Sequence, residues 1–252
     1  MKGKLKDRGF LCKTSLYGDS SLILKVFTRQ YGMLSLIAKG IRRKNEANQL
    51  IALNLYEFTM YEPSDGTLYL LSEFALLKEH ELTTRTENWV AAQCAVELYS
   101  QMMIPHDEHP AYFELLSSFL DYLDTLSTNS FLIWWRFMLR IFALLGIPWD
   151  TRNCCECHSQ PLQMAALKKQ SSELVCSECQ SGLVGRESLV SLTPATTQVL
   201  YLLPEIGNHL STITLDKRSL VQMNRLIADH YSTHFHSELK IRSLGVWEDL
   251  VR

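Results

Sequence analysis

Nothing in this 252-residue chain is apolar for long enough to cross a bilayer. The most hydrophobic segment, Phe131 to Leu145, is too short and carries Arg136 and Arg140. Met1 to Lys13 holds no apolar run of the kind a secretory signal needs, so the protein is expected in the cytoplasm, with no membrane partner. The phosphate-cradling pattern G-x-x-x-x-G-K-S/T, the dinucleotide fingerprint G-x-G-x-x-G and the zinc-hydrolase pattern H-E-x-x-H do not occur, and no Ser, His and Asp arrangement announces nucleophilic catalysis. An enzyme is therefore not expected. A large charge of one sign is missing as well, since the whole chain carries only −2. Seven cysteines, an odd number with two C-x-x-C pairs, speak against a disulfide framework and for metal or free thiols.

The small net charge hides a polarity. Residues 1 to 45 hold eleven Lys or Arg against Asp7 and Asp19, a local +9, while the remainder holds fourteen basic and twenty-five acidic residues, or −11. One end is suited to a polyanion and the rest is not. That end also carries five strand candidates: Arg8 to Leu16, Ser21 to Thr28, Met33 to Lys39, Leu53 to Tyr61 and Thr67 to Phe74. The last two flank the turn signal Pro63-Ser64-Asp65-Gly66, and Tyr56, Phe58 and Met60 alternate with Glu57 and Thr59, which predicts one buried and one wet face. Five strands suit a small barrel, either an OB-fold or an SH3-like one.

The stretch from Leu16 to Lys44 joins two of these strands to the densest cationic run. Arg29-Gln30-Tyr31-Gly32 reads as the turn of a hairpin, and after its second strand Gly40 releases the backbone into what is expected to be a mobile cationic loop bearing Arg42, Arg43 and Lys44. Arg29, Lys39, Arg42, Arg43 and Lys44 are the candidate phosphate ligands, all in or beside turns. Tyr17 and Tyr31 are candidates to stack bases, and Phe27 is read as core.

Tyr17-Gly18-Asp19, the Leu-rich strand to Phe27-Thr28, Tyr31-Gly32, Leu36, Ala38-Lys39-Gly40 and Arg42-Arg43, taken as an ordered set, resemble the RecO family of bacterial recombinational repair proteins. The resemblance implies an OB-fold at the N-terminus, residues 1–80, and extends through the helical middle and a four-cysteine segment to the chain end. It also implies a function. RecO proteins bind single- and double-stranded DNA, anneal complementary strands, associate with RecR, and help load RecA recombinase onto DNA covered by single-strand binding protein. Such a protein is expected to be nucleoid-associated.

From about Glu79 the periodicity becomes helical, over Asn88 to Met103 and Ala111 to Leu126, with Pro105 and Pro110 between them. His106-Asp107-Glu108-His109 reads as a polar loop. Ser130 to Gly146 is apolar nearly all round and should be the buried spine of a helical domain. Its Arg136 and Arg140 share one face, where they would meet solvent or acids such as Asp121 or Asp124; beside apolar surface they could equally hold an acidic, hydrophobic peptide tail. RecO proteins bind the C-terminal tail of single-strand binding protein through their helical region, which makes this pair the candidate.

Cys154, Cys157, Cys176 and Cys179 form two C-x-x-C pairs with eighteen residues between them, the spacing of a closed four-thiolate site for one structural Zn2+. Cys155 and His158 repeat the spacing of the first pair and are alternative ligands. Thr193-Pro194 and Asp216-Lys217-Arg218-Ser219 open further helices, with His230, His234 and His236 read as a solvated helix end. Lys240 to Arg252 is expected to pack back on the helical domain. The expected architecture is thus α+β: an OB-fold at 1–80, a helical domain at 81–150 and 184–252, and an inserted zinc module at 151–183. The rival reading is a zinc-ribbon adaptor whose main role is protein docking rather than DNA binding.

Overall fold

Alternation along β1 (Lys4–Tyr17), β2 (Ser21–Thr28) and β3 (Gly32–Ala38) sends Leu11, Leu22, Leu24, Val26, Leu34 and Leu36 to one side, where all are buried. The computed structural model describes residues 3–44, 46–63, 66–160, 164–183, 185 and 187–250. With β4 (Leu55–Tyr61) and β5 (Leu68–Lys78) these strands close in the order β1-β2-β3-β5-β4, with β1 antiparallel to β4 and β3 parallel to β5. This is the expected five-stranded barrel. In the expected turn between its last two strands, Ser64 and Asp65 lie outside the described residues.

β1 is long because it serves two neighbours, pairing Lys4–Phe10 with β4 and Gly9–Tyr17 with β2, and its register shifts between Leu11 and Lys13. The shift marks a bulge that lets one strand bend around the barrel. Tyr56, Phe58 and Met60 fill the interior, each fully buried, which stabilises the barrel by roughly 1.5–3 kcal/mol per large side chain. The Tyr56 hydroxyl accepts from the Ile51 N–H at 2.8 Å and donates to the Gln49 carbonyl at 2.7 Å, so its polar end is satisfied and fixes the segment before β4.

In the same unit, Met1–Thr125, α1 (Thr86–Gln101) and α2 (His109–Thr125) cover one part of the barrel wall. The Phe113 ring packs tilted at 5.1 Å from Phe10, and Tyr99 meets Phe27 edge-on at 4.8 Å. Phe27 is therefore core, as read from the sequence. His109 does not lie in a polar loop: it opens α2, with Nδ1 3.1 Å from the Gln30 carbonyl and Nε2 3.1 Å from that of Ile104.

The second unit, Leu126–Arg252, is built on α3 (Ser130–Leu144), whose Leu132, Trp134, Trp135, Met138, Ile141 and Phe142 are all fully buried. Gly146, at φ +76°, ends the helix, and the Ile147 N–H returns to the Phe142 carbonyl at 2.9 Å. A three-stranded sheet, β6 (Met164–Lys168), β7 (Leu174–Cys176) and β8 (Leu189–Ser191) in the order β7-β6-β8, carries α4 (Ser177–Leu183). Next come α5 (Pro194–Leu202), capped by Thr193, and α6 (Lys217–Phe235), capped by Asp216, which accepts the Ser219 N–H at 2.9 Å. α7 (Arg242–Leu250) packs back as expected: Trp247 is buried against Phe131, and Asn224 links Trp135 to Glu248 at 2.9 and 3.0 Å.

Candidate nucleic-acid interface and cysteine centre

Immediately after β3, Lys39 is exposed, Gly40 takes φ +70°, and Ile41 turns back into the barrel core at 4% exposure. The Arg42 N–H donates to the Ser20 carbonyl at 3.0 Å and the Gly40 N–H to the Ser21 hydroxyl at 3.3 Å. The expected mobile loop is thus an anchored one. Gly40 alone suggested freedom, but Ile41 and the two bonds to the β1–β2 turn fix the backbone. Around that anchor Lys39, Arg42, Arg43 and Lys44 all point into solvent, and none forms an ion pair with a described residue.

The seven candidate residues separate along β2. Tyr17, half-exposed at the β1–β2 tip, sits at the end of the cationic loop. Arg29 and Tyr31 belong to the turn at the opposite end. Arg29 Nε is 2.9 Å from Glu114 Oε1, and Arg8 reaches the same oxygen at 3.3 Å, so this guanidinium is tied to α2. Tyr31 packs partly buried against the barrel core. The partner of Arg29 could not be foreseen, because Glu114 is 85 residues away along the chain.

Two further cations stand out. Lys13 and Lys25 are directly opposite each other on β1 and β2, and Lys25 faces Ser35 on β3. Like charges placed opposite one another cost stability, so a pair of this kind favours an anionic ligand over an empty surface. The missing signal was strand register. Within β2 alone, Ser21, Ile23 and Lys25 already alternate outward.

The Sγ atoms of Cys154, Cys157, Cys176 and Cys179 lie within 4.8 Å of one another, and those of Cys157 and Cys176 are 3.9 Å apart. A tetrahedral zinc–thiolate centre needs sulfurs about 3.8 Å apart, so the four can hold one metal ion. Cys155 and His158 are outside this group. Local backbone explains the choice: the Cys155 N–H pairs with the Leu174 carbonyl at 2.9 Å, the His158 N–H returns to the Cys154 carbonyl at 2.9 Å, and His158 takes φ +58°. The Ser159 hydroxyl, and then its N–H, draw the Cys157 thiol down to about 6. Burial pushes Cys154 up, but the N–H groups of Cys157 and Cys176 outweigh it and lower that thiol. Cys179 is pushed up by its hydrogen bonds with Cys176 and Cys157. Thiolate charge crowded in this way is what a dication neutralises. Val175 and Leu183 pack beside the sulfurs, and Met164, Ala166, Leu167 and Leu174 of the same module are buried.

The end of α6 is solvated at His234 and His236, both exposed, as expected, but not at His230. His230 is 3% exposed, stacked 5.1 Å from Trp149 and 4.7 Å from Phe142, with Nε2 donating to the Ile147 carbonyl at 2.9 Å. Trp149 in turn donates to the Ser172 carbonyl at 2.8 Å, so His230 helps seat the cysteine module. Of the arginines on α3, Arg140 is exposed and Arg136 half-buried. Glu205 is held below the usual carboxyl range by its bond to Arg152 at 2.8 Å and, more weakly, by Arg136. Asp121, in the first unit, is held by Lys78 and His80 at 2.7 and 2.9 Å.

Among the described residues, no helix is long and apolar enough to cross a membrane. Two family models match the chain, Recombination protein O N terminal over residues 1–80 and Recombination protein O C terminal over residues 84–243. Similar proteins, each named DNA repair protein RecO, include that of Exiguobacterium sibiricum, 25% identical over 98% of this chain and 97% of the relative. That of Halalkalibacterium halodurans is 23% identical over 94% and 92%. That of Chlorobium phaeobacteroides is 27% identical over 68% of this chain, and the match spans 66% of its length.

Proposed function

From the premise that this chain belongs to the RecO family of DNA repair proteins, we propose that it binds single- and double-stranded DNA through the anchored cationic end of its barrel. It anneals complementary strands and helps load RecA recombinase in the RecF pathway. The observation that carries this reading is the group Lys39, Arg42, Arg43 and Lys44, exposed around buried Ile41 and without carboxylate partners among the described residues. Such a group neutralises the phosphates of one strand and lowers its repulsion towards the complement, a mechanism that needs no nucleotide. Tyr17 at the neighbouring tip stacks a base, and Lys13 and Lys25 extend the phosphate track across the outer face of β1 and β2. Arg29 and Tyr31 are left to the fold.

One Zn2+ held by Cys154, Cys157, Cys176 and Cys179 stiffens the second unit. Four thiolates leave no position for water or substrate, so the ion is structural. The partners are RecR and the C-terminal tail of single-strand binding protein, with RecA reached indirectly. Arg140, with Arg136 one turn before it and the half-exposed Leu144 one turn after it, offers a cationic and apolar stripe for that acidic tail.

Annealing of two complementary labelled oligonucleotides tests the reading. The protein should accelerate duplex formation, and a variant with Arg42, Arg43 and Lys44 changed to Ala should fall to the spontaneous rate. Equal acceleration by both proteins would remove the barrel end from the mechanism.

A further inference from the structure

The β1–β2 tip presents apolar surface where the cationic loop leads one to expect only charge. Leu16 is 74% exposed and Tyr17 50% exposed, although Leu16 pairs with Leu22, which is buried in the barrel. β1 runs past the end of the core, and alternation sends these neighbours to opposite faces of the ribbon. Gly18, at φ +54°, makes the sharp return. The tip is held: the Arg42 N–H to Ser20 carbonyl bond and the Gly40 N–H to Ser21 hydroxyl bond tie it to the loop that bears Lys39, Arg42, Arg43 and Lys44. Asp19 is the only acid between Arg8 and Asn45, and Glu46 follows where its N–H meets the Ile41 carbonyl at 3.3 Å, so cations outnumber acids in these segments.

An aliphatic side chain cannot add to phosphate affinity, and its exposure has a cost in water. Bases of a strand whose phosphates sit on the loop would cover it. Aliphatic side chains inserted between base steps unstack them, and aromatic ones stack on the freed faces. We propose that Leu16 and Tyr17 form a wedge that enters between neighbouring bases of the bound single strand, Tyr17 stacking on one and Leu16 holding the next apart. The inference rests on the DNA reading above and adds to it an action on the bases. A strand held with its stack opened presents base edges to a complement, which ties the wedge to annealing.

The test uses the full chain and a single-stranded oligonucleotide of adenines with 2-aminopurine at every fourth position, a base whose fluorescence is quenched by stacking. Binding is followed separately by anisotropy of an end label. At saturation the natural protein should raise the 2-aminopurine signal roughly twofold or more, as expected of an unstacking side chain. L16S should lose most of that rise while its dissociation constant changes by less than about threefold, because Leu16 contributes no phosphate contact. Y17A should also lose signal and bind roughly fivefold more weakly, the effect of one lost stacking partner. Thermal melts establish that both variants fold. An unchanged rise in L16S, or no rise at saturation in the natural protein, overturns the wedge and leaves DNA binding by the loop intact. No binding by anisotropy overturns both.

Discussion

The imidazole of His109 occupies the space that a side chain at residue 32 would need: a Cβ on Gly32 would lie 2.5 Å from its Nε2. Gly32 also holds φ +66°. The glycine in the hairpin turn is therefore required twice, once by its own backbone and once by the helix that packs against it. Gly32→Ala should destabilise the protein by about 2 kcal/mol or more, from left-handed strain and the clash together. Pairing it with His109→Ala separates the two: in a denaturation cycle the clash should be relieved and the backbone strain should persist. Purely additive effects of the two changes would show that the ring and the turn are not coupled.

Lys13 and Lys25 should show opposed effects on stability and binding. Replacing both by Ala removes a cross-strand repulsion and should raise stability by about 0.2–1 kcal/mol. The same change should weaken single-stranded DNA binding and flatten its salt dependence by roughly 1.4 units, the contribution of two phosphate contacts. Melting curves and salt titrations of one variant read both. A variant that is less stable with unaltered DNA affinity would contradict the assignment.

Metal content separates the four clustered cysteines from the fifth. Cys155→Ser should retain one zinc per chain, because that thiol is outside the cluster and burial pushes it up to about 11. Cys176→Ser should lose the ion. Chelation should lower stability by about 4 kcal/mol relative to protein in metal at a thousand times its dissociation constant. Elemental analysis and melting with and without chelator give the answer, and zinc retained by Cys176→Ser would reject the ligand set.

His230 makes part of the stability depend on pH. Burial holds its imidazole down at about 4 in the folded chain, against about 6.5 when unfolded. The unfolded state thus takes up a proton first as pH falls. The contribution of neutral His230 is fully present above about 6.5 and is lost progressively down to about 4. His230→Gln keeps a donor for the Ile147 carbonyl and removes the titration, so its stability should fall less steeply than that of the natural protein over this window. Parallel pH profiles would show that His230 does not titrate on unfolding.

Much of this was legible locally. The strand Ser21 to Thr28 has the bounds the sequence predicts, since the span is rich in Leu, Ile, Val and Phe and turns close both ends; burial alternates along it up to Val26. α3 was visible because a helix apolar all round has to be buried. The cysteine spacing pointed to the four sulfurs that meet. β1 begins at Lys4 rather than at the expected Arg8, because Lys4, Lys6 and Arg8 on its outer face mask a strand whose inner face is Leu5 and Asp7. What escaped was long-range: Glu114 neutralising Arg29, Lys13 facing Lys25, and Trp149 and Phe142 enclosing His230. The burial of Ile41 is hidden in the sequence for another reason. A single aliphatic residue among cations has no periodicity, yet its burial turns a flexible loop into a fixed display of charge.

Capture of DNA phosphates by the barrel end is read out by the salt dependence of single-stranded oligonucleotide binding. With about six phosphates neutralised by Lys39, Arg42, Arg43, Lys44, Lys13 and Lys25, the slope of log affinity against log salt should be near −4, and the Arg42, Arg43, Lys44 triple alanine variant should flatten it by roughly two units. Weak binding with the same slope in both proteins would contradict the account.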